Sequence, residues 1–348
     1  MPLFRISKDN LITLLWLLCN ISSAIGIILV NKLLIETSQF KFVLSLTTLH
    51  FACNYLFQEL LGVIGVTQFQ SNSSTIPLTK FQSIGLAVVG TTSVCSLNLS
   101  LTYNSVSLYQ IFKLLCIPCM LLLQPFECLK LTWQLLVTLF AVIIGIALAT
   151  VNDIDFETNS IGLILACIAV LSTSLFQLQT AKLSQANKIS PQEMNKTQAL
   201  PTAIMCALAA FFIDVYPEQA SILTFKFTVV SIFLIFATCV ISLFVNISAY
   251  GILGRCTALT FQVVGQIKTC GVLIGGWIVF PTTREQITFK VIGGIVQACG
   301  AALLYFYLKQ QDNNVIISND IPKYELVNLI SDNESTIELE QNVKTDKQ

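Results

Sequence analysis

FQVVGQIKTCGVLIGGWIVF, residues Phe261 to Phe280, reads as a membrane-spanning helix with a lysine inside it. About 20 apolar residues at a rise of 1.5 Å each match a hydrocarbon core about 30 Å thick. Lys268 lies well within that stretch. Placing a lysine near the middle of a spanning helix costs about 2.5–3.5 kcal/mol on insertion scales. The chain retains it, so the charge needs a purpose.

The whole chain supports a membrane reading. Of 348 residues, 54% are hydrophobic and only 11% charged, against about 25% charged in soluble domains. One globular core cannot hide that much apolar surface, so lipid must cover the rest. Runs of spanning length fall near 10–31, 42–64, 81–102, 106–125, 132–151, 160–182, 197–214, 226–250, 258–280 and 287–308. The first follows Arg5 and Lys8 as a signal peptide would. Its apolar region exceeds the usual 7–15 residues or so and no small-residue cleavage site follows, so it is expected to stay as a helix. From Lys309 onward the chain turns polar and acidic, the composition of a disordered tail. The expected plan is an all-α integral membrane protein of ten transmembrane helices in two inverted five-helix repeats: a cytosolic N-terminus over 1–9, a transporter domain over 10–308, and a cytosolic, disordered tail over 309–348.

Ten spans put both termini on one side. With the N-terminus cytosolic, Lys80, Lys130, Lys182, Lys188, Lys196 and Arg255 fall on cytosolic connections. The opposite connections hold Lys41, Arg284 and the acids Asp153, Asp155, Glu157, Asp214 and Glu218. That lysine and arginine bias favours N-in, C-in. Asn72-Ser73-Ser74, a glycosylation sequon, is then cytosolic and unmodified. The net charge of zero gives no support to nucleic-acid binding. The twelve cysteines lie largely in apolar runs, and Cys116-Ile117-Pro118-Cys119 sits in a span without a thioredoxin-like context. Free thiols are expected rather than a redox centre.

A faint repeat divides the spans. Ile21-Ser22-Ser23-Ala24 with Lys32-Leu33 resembles Leu171-Ser172-Thr173-Ser174 with Lys182-Leu183 at a fixed offset, and Gly145-Ile146-Ala147-Leu148 resembles Gly300-Ala301-Ala302-Leu303. Two halves, about 10–151 and 160–308, of five helices each would have opposite orientations. That is the inverted-repeat plan of secondary transporters, whose substrate sits near the midplane. Lys113 is placed in the fourth span as Lys268 is in the ninth. Each lies about 11 Å deep at helical rise, too deep to snorkel with ease. The nearest acids within spans, Glu59 and Asp214, stand at helix ends. Two cations left without carboxylates would attract an anion.

Polar residues accompany them. Tyr109 and Gln110 share the face of Lys113, one turn before it; Gln266 and Thr269 flank Lys268. The third span carries Thr91, Thr92, Ser93, Ser96, Asn98 and Ser100, which serve packing as readily as ligand binding. Gly265, Gly271, Gly275 and Gly276 allow close helix approach, Pro118 is expected to kink the fourth span beyond its lysine, and His50 reads as a packing residue. Asp153-Ile154-Asp155 matches a glycosyltransferase metal motif, but no soluble domain accompanies it and turn chemistry accounts for the acids. No H-E-x-x-H, P-loop or dinucleotide fingerprint occurs, so neither a metal, a cofactor nor an enzymatic activity is expected.

The stretches NLSLTYNSVSLYQIFKLLCIP and TFQVVGQIKTCGVLIGG, with NKLL at Asn31–Leu34 and VND at Val151–Asp153, resemble the nucleotide-sugar and triose-phosphate transporter group of the drug/metabolite transporter superfamily. The resemblance spans about residues 10–308 and is closest to the E subfamily of solute carrier family 35 and its plant UDP-sugar relatives. It implies ten helices, alternating access across the Golgi membrane, and exchange of a nucleotide sugar for a nucleoside monophosphate. Phosphorylated-sugar translocators carry Lys-Arg where this chain has Lys268-Thr269, so the resemblance assigns Lys268 to a diphosphate rather than a terminal phosphate. Lys113 matches the family's helix-four lysine. The aromatic pair that precedes a base-holding residue is replaced by Lys196-Thr197, leaving Gln198 to bond the base. The implied partners are the nucleotide sugar, the monophosphate and membrane lipid, with a homodimer as one assembly to test. The rival within the group is a phosphate-ester translocator working against inorganic phosphate.

Overall fold

The computed structural model describes residues 8–40, 42–65, 76–104, 106–124, 132–150, 160–214, 222, 225–279 and 288–320. The elements are α1 (Lys8–Ser38), α2 (Val43–Val63), α3 (Lys80–Tyr103), α4 (Val106–Leu114), α5 (Cys116–Leu123), α6 (Trp133–Thr150), α7 (Ser160–Ala186), α8 (Pro191–Ile213), α9 (Val229–Leu253), α10 (Ala258–Val279) and α11 (Phe289–Asp320). Eight of them, all but α2, α4 and α5, are long and apolar enough to cross a membrane. Their outward residues are what lipid requires: Leu15, Leu18, Phe211, Phe212, Phe233 and Phe236 are all exposed. The protein is an all-helical integral membrane protein.

Local chemistry sets the boundaries. Thr79 and Gln82 form a reciprocal capping box at the start of α3, and Thr228 and Ser231 form another at the start of α9. Ser190 caps α8 with Pro191 in its first turn. The expected kink in the fourth span falls between the lysine and the proline. Leu115 separates α4 from α5, and its N–H reaches both Ile111 O at 3.2 Å and Phe112 O at 3.0 Å. The cause is Pro118: its ring opposes the carbonyl of Leu114 one turn back, while the first turn of a new helix tolerates it.

Two helices outrun the apolar stretches that define their spans. α1 runs Lys8–Ser38 around an apolar run of 10–31, and α11 continues to Asp320, past its apolar span Phe289–Gln311. The Asp153-Ile154-Asp155 motif, the Asn72 sequon, Lys41, Lys130, Arg284, Glu157 and Glu218 lie outside the described residues.

Side-chain contacts give the helix directions. Trp16 meets Gly251 while Asn20 reaches Val245 and Ser248, so α1 and α9 run antiparallel. Ile25 meets Gly271 and Leu29 meets Gly275, so α1 and α10 run parallel. His50 meets Thr238 and Asn54 meets Ser242, making α2 and α9 parallel. Ser83 meets Thr197 and Thr91 meets Cys206, making α3 and α8 parallel. The directions alternate along the chain when α4 and α5 count as one leg. The packing also follows a two-fold rule. The main pairs are α2 with α8, α6 with α11, α1 with α9 and α3 with α7. Exchanging the first five legs for the last five maps this set of pairs onto itself, as two repeats of opposite direction require.

At the end that holds the N-terminus, Met120, Ala181, Leu253 and Ala258 form one buried cluster, and Leu86, Ile189, Met194 and Tyr250 another. They join α3 and α5 of the first half to α7, α8, α9 and α10 of the second. The α6–α11 pair is closer still. A Cβ on Gly294 would lie 2.5 Å from Ala149 N and 2.6 Å from Gly145 O, backbone atoms that cannot yield. Around Gly300, on the same helix, a Cβ meets nothing within 4 Å. Overpacking costs about 1–3 kcal/mol, so Gly294→Ala is expected to lower the melting temperature and monodisperse yield in detergent. Gly300→Ala should leave both near wild type.

Candidate functional site

Lys268 sits on the inner side of α10 and is only half-buried. Its Nζ donates to Asn20 Oδ1 at 2.9 Å and lies 4.7 Å from the centre of the Phe261 ring. Asn20 is fully buried on α1. Its Nδ2 donates to Val245 O at 3.1 Å and to Ser248 Oγ at 2.9 Å. Both amide hydrogens are thereby committed to α9, so the carbonyl oxygen is the atom left to face the lysine. Asn20 positions the ammonium without neutralising it. An ammonium has three N–H donors, and one is used.

Lys268 has partners, and they are neutral. The two acids within reach of the spans are committed elsewhere. Glu59 pairs with Lys196 at 3.0 Å. Asp214 closes the start of α2, accepting from Leu44 N at 3.3 Å and from Ser45 N and Oγ at 2.7 Å each. Among the described residues neither Lys113 nor Lys268 has a carboxylate within ion-pair distance.

Lys113 occupies the last turn of α4, directly before the break at Leu115. It too is half-buried. Leu114, next to Lys113, and Cys270, two residues past Lys268, pack in one buried cluster, which brings the two lysine-bearing turns together. The break sets Lys113 beside the start of α5, where the Cys116 carbonyl accepts from Ser174 Oγ at 3.4 Å. The other expected residues divide. Tyr109 is half-buried on α4, and the side chain of Gln110 lies outside the described residues. Gln266 is buried, and its Nε2 has no partner. Thr269 donates to Gly265 O at 3.2 Å, so its hydroxyl proton is spent within its own helix. Asn98 is half-buried on α3 and already engaged.

Gln198 belongs to a different part of the bundle, where α8 meets α3. Its Nε2 reaches Ser83 Oγ at 3.4 Å, and its Oε1 has no partner. Other buried amides escaped the sequence reading. Asn195 and Gln58 are fully buried with both polar side-chain atoms unpartnered, and Asn54 accepts from Ser242 at 3.2 Å. Asn20 also escaped, although an asparagine inside LLWLLCNISSAIGIILV was a visible signal. His50 is buried against Thr238 at 3.0 Å, which fits its packing role. Among the described residues no cluster could hold a metal ion.

The family model of the triose-phosphate transporters matches residues 8–306. The chain belongs to that family. Among its similar proteins, UDP-rhamnose/UDP-galactose transporter 2 of Arabidopsis thaliana is 33% identical over 304 residues, covering 85% of this chain and 84% of its own. UDP-rhamnose/UDP-galactose transporter 1 of the same plant is 34% identical, covering 82% and 80%. UDP-xylose transporter 2 of that plant is 29% identical, covering 88% and 85%. A solved crystal structure superposes with a TM-score of 0.59 at 12% identity, over 84% of this chain and 98% of the other, and shares the fold. As a member of a transporter family, the chain is a transporter.

The site's defining property is a cation held only by neutral groups. Asn20→Asp would set a carboxylate against Lys268 at nearly unchanged volume. We expect it to lower affinity for an anionic substrate about a hundredfold in a calorimetric titration, with some loss of detergent stability because a carboxylate cannot donate to Val245 O and Ser248 Oγ. Wild-type affinity in that variant would contradict the assignment of Lys268.

Proposed function

We propose that the chain exchanges a nucleotide sugar, with a UDP-sugar the first choice, for a nucleoside monophosphate across the Golgi membrane, with ten crossings and both termini cytosolic. The observation that carries this reading is the pair of interior lysines without carboxylate partners. A nucleotide sugar supplies the missing negative charge through its diphosphate, and the relatives named above are UDP-sugar transporters. Thr269 in place of a second cation suits a diphosphate esterified at both ends better than a terminal phosphate dianion.

Exchange follows from electrostatics. The empty site would hold two ammonium groups in a poorly solvated interior with nothing between them, and reorienting the halves around them is costly. A bound diphosphate or monophosphate removes that cost in either direction. Transport is thereby tied to an occupied site, and net flux requires a counter-substrate. The repeat supplies the motion: at the N-terminal end, which this reading makes cytosolic, Ala181 packs with Leu253 in a buried cluster that joins the halves, and the cycle has to part it. The repeat offset carries these to Asn31 and Tyr103, and Tyr103 is exposed. Parting the cluster would close that counterpart pair.

The test is uptake into proteoliposomes of purified protein, preloaded with UMP, GMP or inorganic phosphate and offered labelled UDP- and GDP-sugars. Uptake dependent on internal UMP or GMP is expected. Uptake of phosphate esters against internal phosphate alone would move the chain to the translocator branch. Lys268→Ala is expected to reduce exchange more than a hundredfold at unchanged expression, and exchange at the wild-type rate would sink the assignment. In a background without reactive cysteines, Asn31→Cys with Tyr103→Cys should crosslink when cytosolic substrate is saturating. Crosslinking that ignores substrate on both sides would contradict the proposed motion.

A further inference from the structure

Thr173, Gln177, Thr180 and Ser184 recur along α7 at the spacing of one helix face. Ile164, Ile168 and Leu171, on the opposite side, are exposed as lipid-facing residues are. The polar stripe therefore faces the bundle interior. Thr173 is bonded across to Ser93 of α3. The next three differ: Gln177 Oε1, Thr180 Oγ1 and Ser184 Oγ are enclosed and, among the described residues, have no hydrogen-bond partner. Thr180 is 0% and Ser184 2% exposed.

Ordinary helix packing does not account for this. A buried hydroxyl in a spanning helix usually donates to the carbonyl one turn back. Ser172 does so on this same helix at 2.6 Å, as do Thr92 at 2.8 Å, Thr150 at 2.7 Å and Thr197 at 2.8 Å on others. Thr180 does not, so its hydroxyl is turned away from its own backbone. A buried polar atom left without a partner is destabilising. Nor does the architecture demand polarity here. At the repeat offset the α1 counterparts of Gln177, Thr180 and Ser184 are Ile27, Val30 and Leu34. The same place in the other half is filled by three aliphatic side chains, so the stripe belongs to one half alone.

Its position ties it to the lysines. Ser174, one turn before Gln177, bonds the Cys116 carbonyl, and Cys116 begins the helix that follows Lys113. The stripe thus runs from the neighbourhood of Lys113 toward the cluster of Ala181 and Leu253. Its chemistry is neutral, with hydroxyls that donate and accept and an amide oxygen that accepts. Such a set does not compete with lysine for phosphate. It matches the alternating donors and acceptors of a hydroxylated ring.

Resting on the nucleotide-sugar reading above, we infer that Gln177 and Thr180 of α7 bind the hydroxyl groups of the substrate's sugar ring, with Ser184 extending the same stripe. The lysines hold the diphosphate and α7 reads the sugar. The ribose carries the same chemistry, so the test separates the two rings. Thr180→Val removes the hydroxyl at equal volume, Thr180→Ser keeps it, and Gln177→Leu removes the amide. In UMP-loaded proteoliposomes, Thr180→Val and Gln177→Leu are expected to raise KM for UDP-galactose about tenfold, equivalent to about 1.4 kcal/mol. KM for UMP should change less than about twofold, and Thr180→Ser should restore UDP-galactose uptake. An equal rise for UMP, or equal damage from Val and Ser, would overturn the inference in favour of ribose contact or packing. If Thr180→Val fails to insert, Gln177→Leu decides the matter by the same ratio. A wild-type protein that takes up UMP or phosphate esters but no UDP-sugar would remove the parent reading and this one with it.

Discussion

Two lysines inside a bundle of apolar helices, with no carboxylate within ion-pair distance among the described residues, set the terms for the rest of this molecule. Desolvating an ammonium is expensive, and a buried acid is the common remedy. Here the acids are spent at the periphery: Glu59 on Lys196 and Asp214 on the first turn of α2. The interior instead offers Lys268 a carbonyl from Asn20 and the face of Phe261, which orient the cation but leave its charge intact. The tertiary structure then follows that need. Asn20 can serve only because α9 takes both of its amide hydrogens, so three helices from both halves cooperate to hold one ammonium. Lys113 reaches the same interior because Pro118 interrupts the helix directly after it.

The fold resolves the tension between holding charges and moving them. Pairs of helices related by the two-fold rule give each half the same partners in opposite directions. Under the proposed exchange, an arrangement closed at one end would have a near-equivalent closed at the other. The equivalence is incomplete where function differs between halves. The inner face of α1 carries Asn20 and then aliphatic residues, while that of α7 carries hydroxyls and an amide. A substrate with a charged middle and two chemically distinct ends requires such a departure from symmetry.

Much of this was legible in the sequence because the bilayer enforces simple rules. Apolar runs of spanning length read directly, as did the family resemblance, which the match to the triose-phosphate transporter family over residues 8–306 bears out. What escaped depends on three-dimensional partners. Asn20, Gln58 and Asn195 look like incidental polar residues until the helices that pack on them are known. Gln198 was placed with the base on resemblance alone, and in the structure its Nε2 reaches Ser83 of α3. The break at Leu115 needed the relation between a proline ring and the carbonyl one turn back, and the extension of α11 to Asp320 shows that a helix can outlast its apolar stretch.

Calorimetric titration of the purified protein with uridine, UMP and a UDP-sugar, repeated with Lys268→Met, tests the central claim most directly. The account predicts affinity that rises from uridine to the phosphorylated ligands, and a Lys268→Met variant in which that rise is largely erased. Uridine binding as tightly as UMP, or an undiminished phosphate dependence in the variant, would show that the interior lysines are not there for the anion.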